Sequence, residues 1–379
     1  MLDPDNLPRV REAIQTRTRE DSFLLQQLRG EIRPLKDATR RIAPRSTTSV
    51  SLVASDGGNN ALKFDPFLIQ LVRVVDSYGR ELCLDAVTPT TNVVELSERQ
   101  LAEHTALGFM MEELGVHKLY ELSTMIPNPR KLIDDTTVKP SWVLVYRDLC
   151  EWAVLFDRIV RSEFATDTLV VRDGLLRSKL FAGELFIQMM AQLRSAIEEK
   201  AKKQRRKIYL VGFAKHSKVL TRYQLAMALE GILQEEYPAL VEIPRDIEKK
   251  AYVWPEYALG DESSDTGEAP KFVAGRMFFT KFGNRRRDPI WAVDILNSQV
   301  GDASIIFGHL LADALDGFPV PLYPRCLQKA HENAALVGFD MDVLQEEIFL
   351  AIRSEIDNDK KHVLDSFRFG SDPSSVRYE

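Results

Sequence analysis

Two aspartates that each end a short apolar run and precede a glycine are candidate metal ligands. Asp56 lies in SDGG and Asp173 lies in RDGLL. Ligands bind outside the carboxyl ends of strands in open α/β sheets, so aspartates on parallel neighbouring strands would lie side by side. Two carboxylates that close repel each other unless a cation lies between them or one is protonated. Oxygen ligands suit Mg²⁺ or Mn²⁺ better than zinc, although Asp-Gly is also a common turn.

A third carboxylate interrupts an apolar helical pattern. Glu151 lies in LVYRDLCEWAVLFDRIV, where most neighbours at helical spacing are apolar. A buried carboxylate is costly unless it is paired or bound to a metal ion. Two alternatives stay open: Glu151 lies on a polar stripe beside Arg147 and Arg158, or Asp148 is the ligand from this helix.

Hydrogen-bond donors gather directly after the apolar run KIYLVGFA. They are Lys215, His216, Ser217 and Lys218. Ser217 is suited to cap the next helix, whose first amides would then face a phosphate. The glycine of this segment is not in a P-loop arrangement, which argues against ATP binding here. The alternative is a solvated basic turn.

A second basic turn, GNRRRD, separates two predicted strands near the C-terminal end of the sheet. Its arginines are Arg285, Arg286 and Arg287. Such groups could guide a nucleic-acid strand, and binding would then depend on salt concentration.

Two histidines are candidates for a metal ligand or a general acid. His331 lies in an amphipathic helical pattern shortly after a Tyr-Pro pair, whereas His309 lies in IIFGHLLADAL and has more apolar neighbours. Neither histidine is specific by itself, and both stay open on spacing alone.

The elements around these residues predict a mixed α/β sheet with helices on both faces. Three strands, the last two forming a hairpin around DSYGRE, are expected from residue 51 to 87. A helix capped by Ser97 and stopped by Gly115 should follow. Helix, strand, helix and strand then alternate up to KIYLVGFA, and two more strands flank GNRRRD. Helices are expected at 8–42, 301–315, 324–337 and 340–357.

Composition and length exclude few functions. The 379 residues suit one large domain with insertions or two domains, and 45% hydrophobic with 28% charged residues is typical of a soluble globular protein. No apolar run approaches the roughly 20 residues that cross a bilayer. The charged segment MLDPDNLPRVREAIQ has no apolar signal core, so we do not expect secretion. Three scattered cysteines favour a reducing cytoplasm. A net charge of −6 does not exclude a local basic groove for nucleic acid.

The order of the motifs resembles that of the NurA nuclease family. The chain has Asp-Gly-Gly after a first strand, an acid on a helix, a strand followed by Asp-Gly-Leu-Leu, a strand with Gly-Phe-Ala-Lys-His-Ser, and a late Tyr-Pro with Ala-His. The resemblance extends from about Ser51 to about Gly338. Gly58 stands where the family usually has serine, and Asp-Gly-Leu-Leu replaces Asp-Gly-Pro-Leu. Neither departure removes a ligand.

The resemblance implies a metal-dependent DNA nuclease. It assigns Asp56, Glu151 and Asp173 to a manganese or magnesium site, Lys215 to the phosphate, and His331, in preference to His309, to a second metal or the leaving oxygen. It implies a homodimer that acts with a HerA-type hexameric ATPase, in DNA end processing or in defence against invading DNA. The apolar face in DSFLLQQL would be a contact surface.

The implied architecture is an RNase H-like mixed sheet flanked by helices, with added helices at both ends of the chain. The predicted segments are an N-terminal helical segment at 1–48, a nuclease domain at 49–338 with a mobile acidic loop at 260–270, and a C-terminal helix and tail at 339–379. Two other functions stay open: cleavage of RNA, and a catalytically silent adaptor that docks on the ATPase ring. The adaptor would be favoured if Asp56 and Asp173 lay more than about 8 Å apart.

Overall fold

The structure of the protein is a computed structural model that describes residues 6–45, 50–64, 67–129, 141–252, 272–336 and 338–358. Between residues 50 and 68 it describes the backbone alone. The predicted acidic loop at 260–270 lies outside the described residues. Among the described residues, no helix combines the length and the apolar character that crossing a bilayer requires.

The described strands and helices follow the order that the sequence pattern predicts, with several short additions. The strands are β1 (Arg40–Arg41), β2 (Val50–Phe64), β3 (Phe67–Asp76), β4 (Glu81–Val87), β5 (Asp167–Asp173), β6 (Ile208–Ala214), β7 (Ala239–Glu242), β8 (Gly275–Lys281) and β9 (Ile290–Leu296). The helices are α1 (Leu7–Glu20), α2 (Ser22–Ile32), α3 (Val93–Ala102), α4 (Ala106–Glu113), α5 (Leu119–Leu122), α6 (Trp142–Arg161), α7 (Leu185–Gln204), α8 (Lys218–Glu230), α9 (Arg245–Ala251), α10 (Ala303–Leu315), α11 (Arg325–Ala334) and α12 (Gly338–Glu355).

The chain forms two compact units, each made from two stretches of sequence. The first unit combines Met1–Ser55 with Leu155–Lys329, and the second combines Asp56–Val154 with Ala330–Glu379. The predicted segments 1–48, 49–338 and 339–379 instead follow chain order, and those boundaries stay a prediction.

A mixed sheet is the centre of the first unit, as the alternating pattern predicted. Its strand order is β1-β7-β8-β9-β6-β5-β2. β2, β5 and β6 run parallel to one another, whereas the pairs from β6 to β1 are antiparallel. Side chains alternate between the two faces of a strand. On β8, Met277 and Phe279 join a buried cluster with α8, and Phe278 packs on Phe307 of α10. Helices therefore cover both faces of β8.

The N-terminal helices differ from each other in burial. α1 has no buried residue, but α2 packs on α8 through Ile32. Arg29 and Arg33 both bind the Glu230 carboxylate, at 2.6 and 2.9 Å. These contacts lower the pKa of Glu230 to about 2, through hydrogen bonds from Arg33 first and Arg29 second.

The second unit contains the predicted hairpin and a correction to the predicted helix. β3 and β4 pair antiparallel around a turn with Gly79 at a positive φ of 80°. Ser97 is not a helix cap. Asn92 caps α3 by accepting from two backbone amides, and Ser97 lies inside that helix, where its hydroxyl donates to Val93 O. Thr105 then caps a separate helix, α4.

Candidate active site

The parallel register between β2 and β5 aligns the two Asp-Gly motifs. Ser55 of β2 pairs with Arg172 of β5, and all six partners from Val50 to Ser55 keep the same offset. The next residue along each strand is a predicted metal ligand. Asp56 follows Ser55 in β2, and Asp173 follows Arg172 in β5. β2 and β5 are therefore parallel neighbours, but β2 continues to Phe64, so the predicted strand end at Asp56 is wrong and Asp56 lies within its strand. The side chain of Asp56 lies outside the described residues.

The carboxylate of Asp173 is held beside a lysine. Asp173 is the last residue of β5 and keeps 21% of its side chain exposed. Lys215 follows the next strand, β6, and its Nζ donates to Asp173 Oδ2 at 3.3 Å. Adjacent parallel strands end at the same edge of a sheet, which explains why these two residues, 42 positions apart, come together.

The turn after Asp173 is defined by Gly174. Its φ is +106°, and a Cβ built there would lie 2.4 Å from Arg172 Nη1. The Gly174 amide donates to Phe213 O at 2.7 Å, so the turn stays attached to β6. Glycine is required at this position because other residues avoid this backbone region. The Asp-Gly pair therefore both turns the chain and leaves the carboxylate at the strand end.

A buried ion-pair network anchors the segment that follows this turn. Arg177 binds both oxygens of Asp294, through Nε at 2.9 Å and Nη2 at 2.7 Å, and donates from Nη1 to Glu248 at 3.0 Å. The Arg177 side chain is 2% exposed and both carboxylates are fully buried. Although burial opposes its charge, the Asp294 and Glu248 carboxylates raise the pKa of Arg177 well above its usual value. Sequence analysis missed this network.

The ring of Tyr323 also lies close to Lys215. The Lys215 Nζ lies 5.4 Å from the centroid of the Tyr323 ring, close enough for a cation–π contact. Tyr323 packs on Phe213 and Trp291, at centroid separations of 5.3 and 5.1 Å. This packing restricts the position of the lysine beside Asp173.

The predicted hydrogen-bond donors at 215–218 extend from the end of β6 to the first residue of α8. Ser217 caps α8, and its hydroxyl accepts from the Leu220 amide at 3.4 Å, as predicted. The side chains of His216 and Lys218 are exposed. Lys215 is therefore the member of this segment that the structure brings to a candidate carboxylate.

The carboxylates of α6 lie in the second unit and have a basic partner. Arg147 Nε lies 3.4 Å from Glu151 Oε1, and its Nη2 donates to Asp148 Oδ1 at 3.0 Å. Glu151 is the more buried of the two acids, with 12% of its side chain exposed against 37% for Asp148. Glu151 therefore has the partner that a half-buried carboxylate needs, and which acid ligates a metal stays a prediction.

The two candidate histidines have different environments. His331 is exposed on α11, whereas His309 is buried within α10. Burial first, and the charge of Arg45 second, lower the pKa of His309. Both effects favour the neutral imidazole of His309 over the charged form. Its role and that of His331 stay predictions.

The predicted basic turn connects β8 and β9 and is solvated. The three arginines are exposed. Arg286 has a carboxylate neighbour, Glu236, at 3.6 Å, and both side chains are more than 70% exposed. A nucleic-acid contact at Arg285, Arg286 and Arg287 stays a prediction.

A second polar cluster, also missed by sequence analysis, is structural. Asp85 accepts from Arg99 at 2.6 and 2.7 Å and from the Tyr146 hydroxyl at 2.6 Å, beside a cavity of about 250 Å³. Gln100 adds a third donor at 3.1 Å. Because its oxygens are held by protein donors, Asp85 is not offered to a ligand.

The predicted metal ligands fit a hard divalent cation by their chemistry. Asp56, Glu151 and Asp173 offer only oxygen donors, and the described carboxylate of Asp173 is partly exposed at a strand end. Within the part of the chain whose side chains are described, which omits Asp56, no group of three or more histidine, cysteine, aspartate or glutamate residues gathers into a metal site.

Comparison with known proteins finds similarity to solved structures alone. No protein-family model and no curated protein matches the chain. The chain is similar to the NurA nuclease from Sulfolobus solfataricus, with 13% identity and a TM-score of 0.37 over 94% of this chain and 99% of that one. It is similar to a second NurA structure, with 12% identity and a TM-score of 0.40 over 95% of this chain and 100% of that one.

A third similar structure contains ligands. It is NurA bound to dAMP and manganese, with 12% identity and a TM-score of 0.36 over 89% of this chain and 94% of that one. These structures come from the family that the motif order resembles.

Proposed function

We propose that this protein is a divalent-metal-dependent nuclease that hydrolyses phosphodiester bonds of DNA. The parallel register of β2 and β5 is the observation that carries the proposal, because it aligns Ser55 with Arg172, each one residue before an Asp-Gly motif. Neighbouring strands lie about 4.8 Å apart. In the proposal the carboxylates of Asp56 and Asp173 share one divalent cation.

Lys215 supplies positive charge for the substrate in this proposal. Its Nζ lies 3.3 Å from Asp173 and 5.4 Å from the Tyr323 ring centroid, which restricts its position at the edge of the sheet. A lysine binds phosphate as a compact point charge. The phosphate next to the scissile bond would bind here and orient the reacting phosphorus toward the two aspartates.

Mn²⁺ or Mg²⁺ would be held by Asp56 and Asp173, with Glu151 as the predicted ligand from α6. When bound, such a cation lowers the pKa of its water and neutralises charge on the phosphoryl oxygens. His331 is the predicted proton donor to the leaving oxygen or a further ligand. Arg285, Arg286 and Arg287 are the predicted contacts to the backbone of the strand.

The finer predictions belong to the same proposal. We propose an RNase H-like arrangement of the mixed sheet, a homodimer, and a HerA-type hexameric ATPase as partner in DNA end processing or defence. The described apolar side chains of α1 and α2 that face solvent, such as Ile14 and Phe23, support a partner surface at the N-terminal helices. Three free cysteines support a reducing, cytoplasmic location.

The proposal is tested by cleavage of labelled DNA and RNA strands with Mn²⁺, with Mg²⁺ and with EDTA. Loss of a residue that only hydrogen-bonds to a metal ligand lowers metal affinity or activity about 10–100-fold, and loss of the ligand itself should lower activity more. We therefore expect Asp56→Asn and Asp173→Asn each to lose more than about a hundredfold in DNA cleavage. Asp246→Asn, an exposed aspartate on α9, is the matched control and should keep wild-type activity.

Three results would contradict the proposal. Cleavage in EDTA would show that the reaction needs no metal ion. Full activity of both folded aspartate variants would show that Asp56 and Asp173 are not the metal ligands. Cleavage of RNA with no cleavage of DNA would show that the substrate is RNA and not DNA. Circular dichroism of each variant checks that the fold is intact.

A further inference from the structure

A loop beside the Asp173–Lys215 pair exposes a phenylalanine to solvent. The loop spans residues 316–324 and connects α10 to α11. Phe318 is 81% exposed, the largest exposure among the large apolar side chains of the described residues. A ring left in water forgoes the favourable free energy that its burial would contribute.

Hydrogen bonds hold this loop in place. The Gln328 side chain accepts from the Val320 amide at 2.7 Å and donates to Val320 O and Tyr323 O, both at 2.9 Å. Gln328 itself is buried. A Cβ at Gly317 would lie 2.3 Å from Tyr323 O, so the two ends of the loop are in close contact. Gly317 and Val320, which flank the Phe318–Pro319 pair, are therefore both held by contacts within the loop and with α11.

The far end of the loop is attached to the candidate active site. Trp291 Nε1 donates to Leu322 O at 2.7 Å. The next residue, Tyr323, carries the ring that contacts Lys215, which in turn binds Asp173. A continuous series of contacts within the first unit thus links the exposed phenylalanine to the predicted phosphate-binding lysine.

Positive charge follows the loop. Arg325 and Lys329 are exposed on α11 at helical i, i+4 spacing, which places both on one side of the helix. The loop with the exposed ring also contains the exposed Asp316, and two exposed cations follow it on α11. An aromatic ring on a segment followed by cations suits single-stranded nucleic acid, because every base has a π-face and every linkage has a negative charge. A purely apolar protein partner would gain nothing from these cations.

We propose that Phe318 is a stacking platform for a nucleobase of a single-stranded segment of the substrate. The proposal rests on the proposed nuclease function and names where the strand lies, with one phosphate at Lys215 and an unpaired base on Phe318. Stacking on an aromatic ring tolerates any base, so the site selects unpaired strands without selecting sequence.

Binding of a fluorescent single-stranded DNA to the full chain in EDTA tests the platform without cleavage. We expect Phe318→Ala to raise the Kd about tenfold, within the range that loss of one base–aromatic stack gives. Phe318→Trp should bind as tightly as the wild type. Tyr78→Ala, which removes an exposed aromatic side chain (69%) from the turn between β3 and β4, is the matched control and should leave the Kd unchanged.

An abasic nucleotide moved along the same DNA locates the stacked base. In the wild type one position should weaken binding, and Phe318→Ala should lose that position's effect. If Phe318→Ala binds like the wild type, or keeps the abasic pattern, the stacking platform is wrong. If the wild type is a dimer and Phe318→Ala is a monomer that binds DNA as the wild type does, the ring instead belongs to a contact between two copies of the chain.

Cleavage by the same proteins separates the two proposals. Cleavage that does not depend on Asp173 overturns the nuclease site on which the platform rests. A different outcome would overturn the platform alone. In that case cleavage would require Asp173, but Phe318→Ala would bind single-stranded DNA as tightly as the wild type does.

Discussion

Replacing Arg177 by methionine should destabilise the first unit more than any exposed ion-pair substitution. The side chain is 2% exposed and donates two hydrogen bonds to Asp294 and one to Glu248. Removing it leaves two fully buried carboxylates short of their main cation. Methionine keeps a similar chain length, so the change is mainly in charge.

The size of the loss follows from what remains after the substitution. Hydrogen bonds to charged groups contribute about 1.5–3 kcal/mol each, and breaking a buried ion pair by removing one partner costs about 3–5 kcal/mol. The Leu176 amide still donates to Asp294 at 3.0 Å, and Arg245 still binds Glu248 at 3.0 Å. These remaining contacts keep the expected loss in the free energy of unfolding at about 3–5 kcal/mol.

The assay is urea unfolding followed by circular dichroism, with the midpoint compared at constant m. Arg17→Met is the matched control, because Arg17 pairs with Glu20 at 2.7 Å and both side chains are more than half exposed. That change should cost about 0–1 kcal/mol. If the two variants differ by less than about 1 kcal/mol, the reasoning about the buried network is refuted.

Three further substitutions test other parts of the fold. Glu230→Gln should remove a pH-dependent stabilisation: the pKa of Glu230 is lowered from 4.5 to about 2, so its contribution is present above pH 4.5 and is lost as pH falls toward 2. Urea midpoints of variant and wild type should differ at pH 6 and converge near pH 2; a constant difference would contradict this. Gly174→Ala should cost about 1–3 kcal/mol because of its positive φ, whereas Gly301→Ala, which meets no atom within 4 Å, should cost less than 1; equal urea midpoints would contradict this. Ser217→Ala should cost about 1 kcal/mol through loss of the α8 cap, and an unchanged midpoint would show that the cap contributes nothing.

Local pattern predicted most of the elements around the candidate site. β5 and β6 are buried runs rich in β-branched and other apolar residues, and such runs have a signal that needs no knowledge of the partner strand. The Ser217 cap was predictable because it depends on its own helix alone. The predicted site required β2 and β5 to be parallel neighbours, but the local sequence pattern does not show which strands pair.

Contacts between distant residues were beyond prediction. Arg177 and Asp294 lie 117 positions apart, and neither has a neighbour in sequence that indicates the pair. β1 and β7 are two and four residues long, and they are strands because they pair with each other and with β8. Ser97 was mistaken for a cap because its hydroxyl type suits that position, whereas Asn92 occupies it.

Manganese binding measured by isothermal titration calorimetry tests most directly whether the Asp-Gly motifs of β2 and β5 form one metal site. The wild type should bind Mn²⁺, and Asp56→Asn and Asp173→Asn should each weaken that binding by at least about tenfold, since both lose a ligand of the same ion. Asp246→Asn should bind as the wild type does. Wild-type affinity in both folded aspartate variants would contradict the shared site.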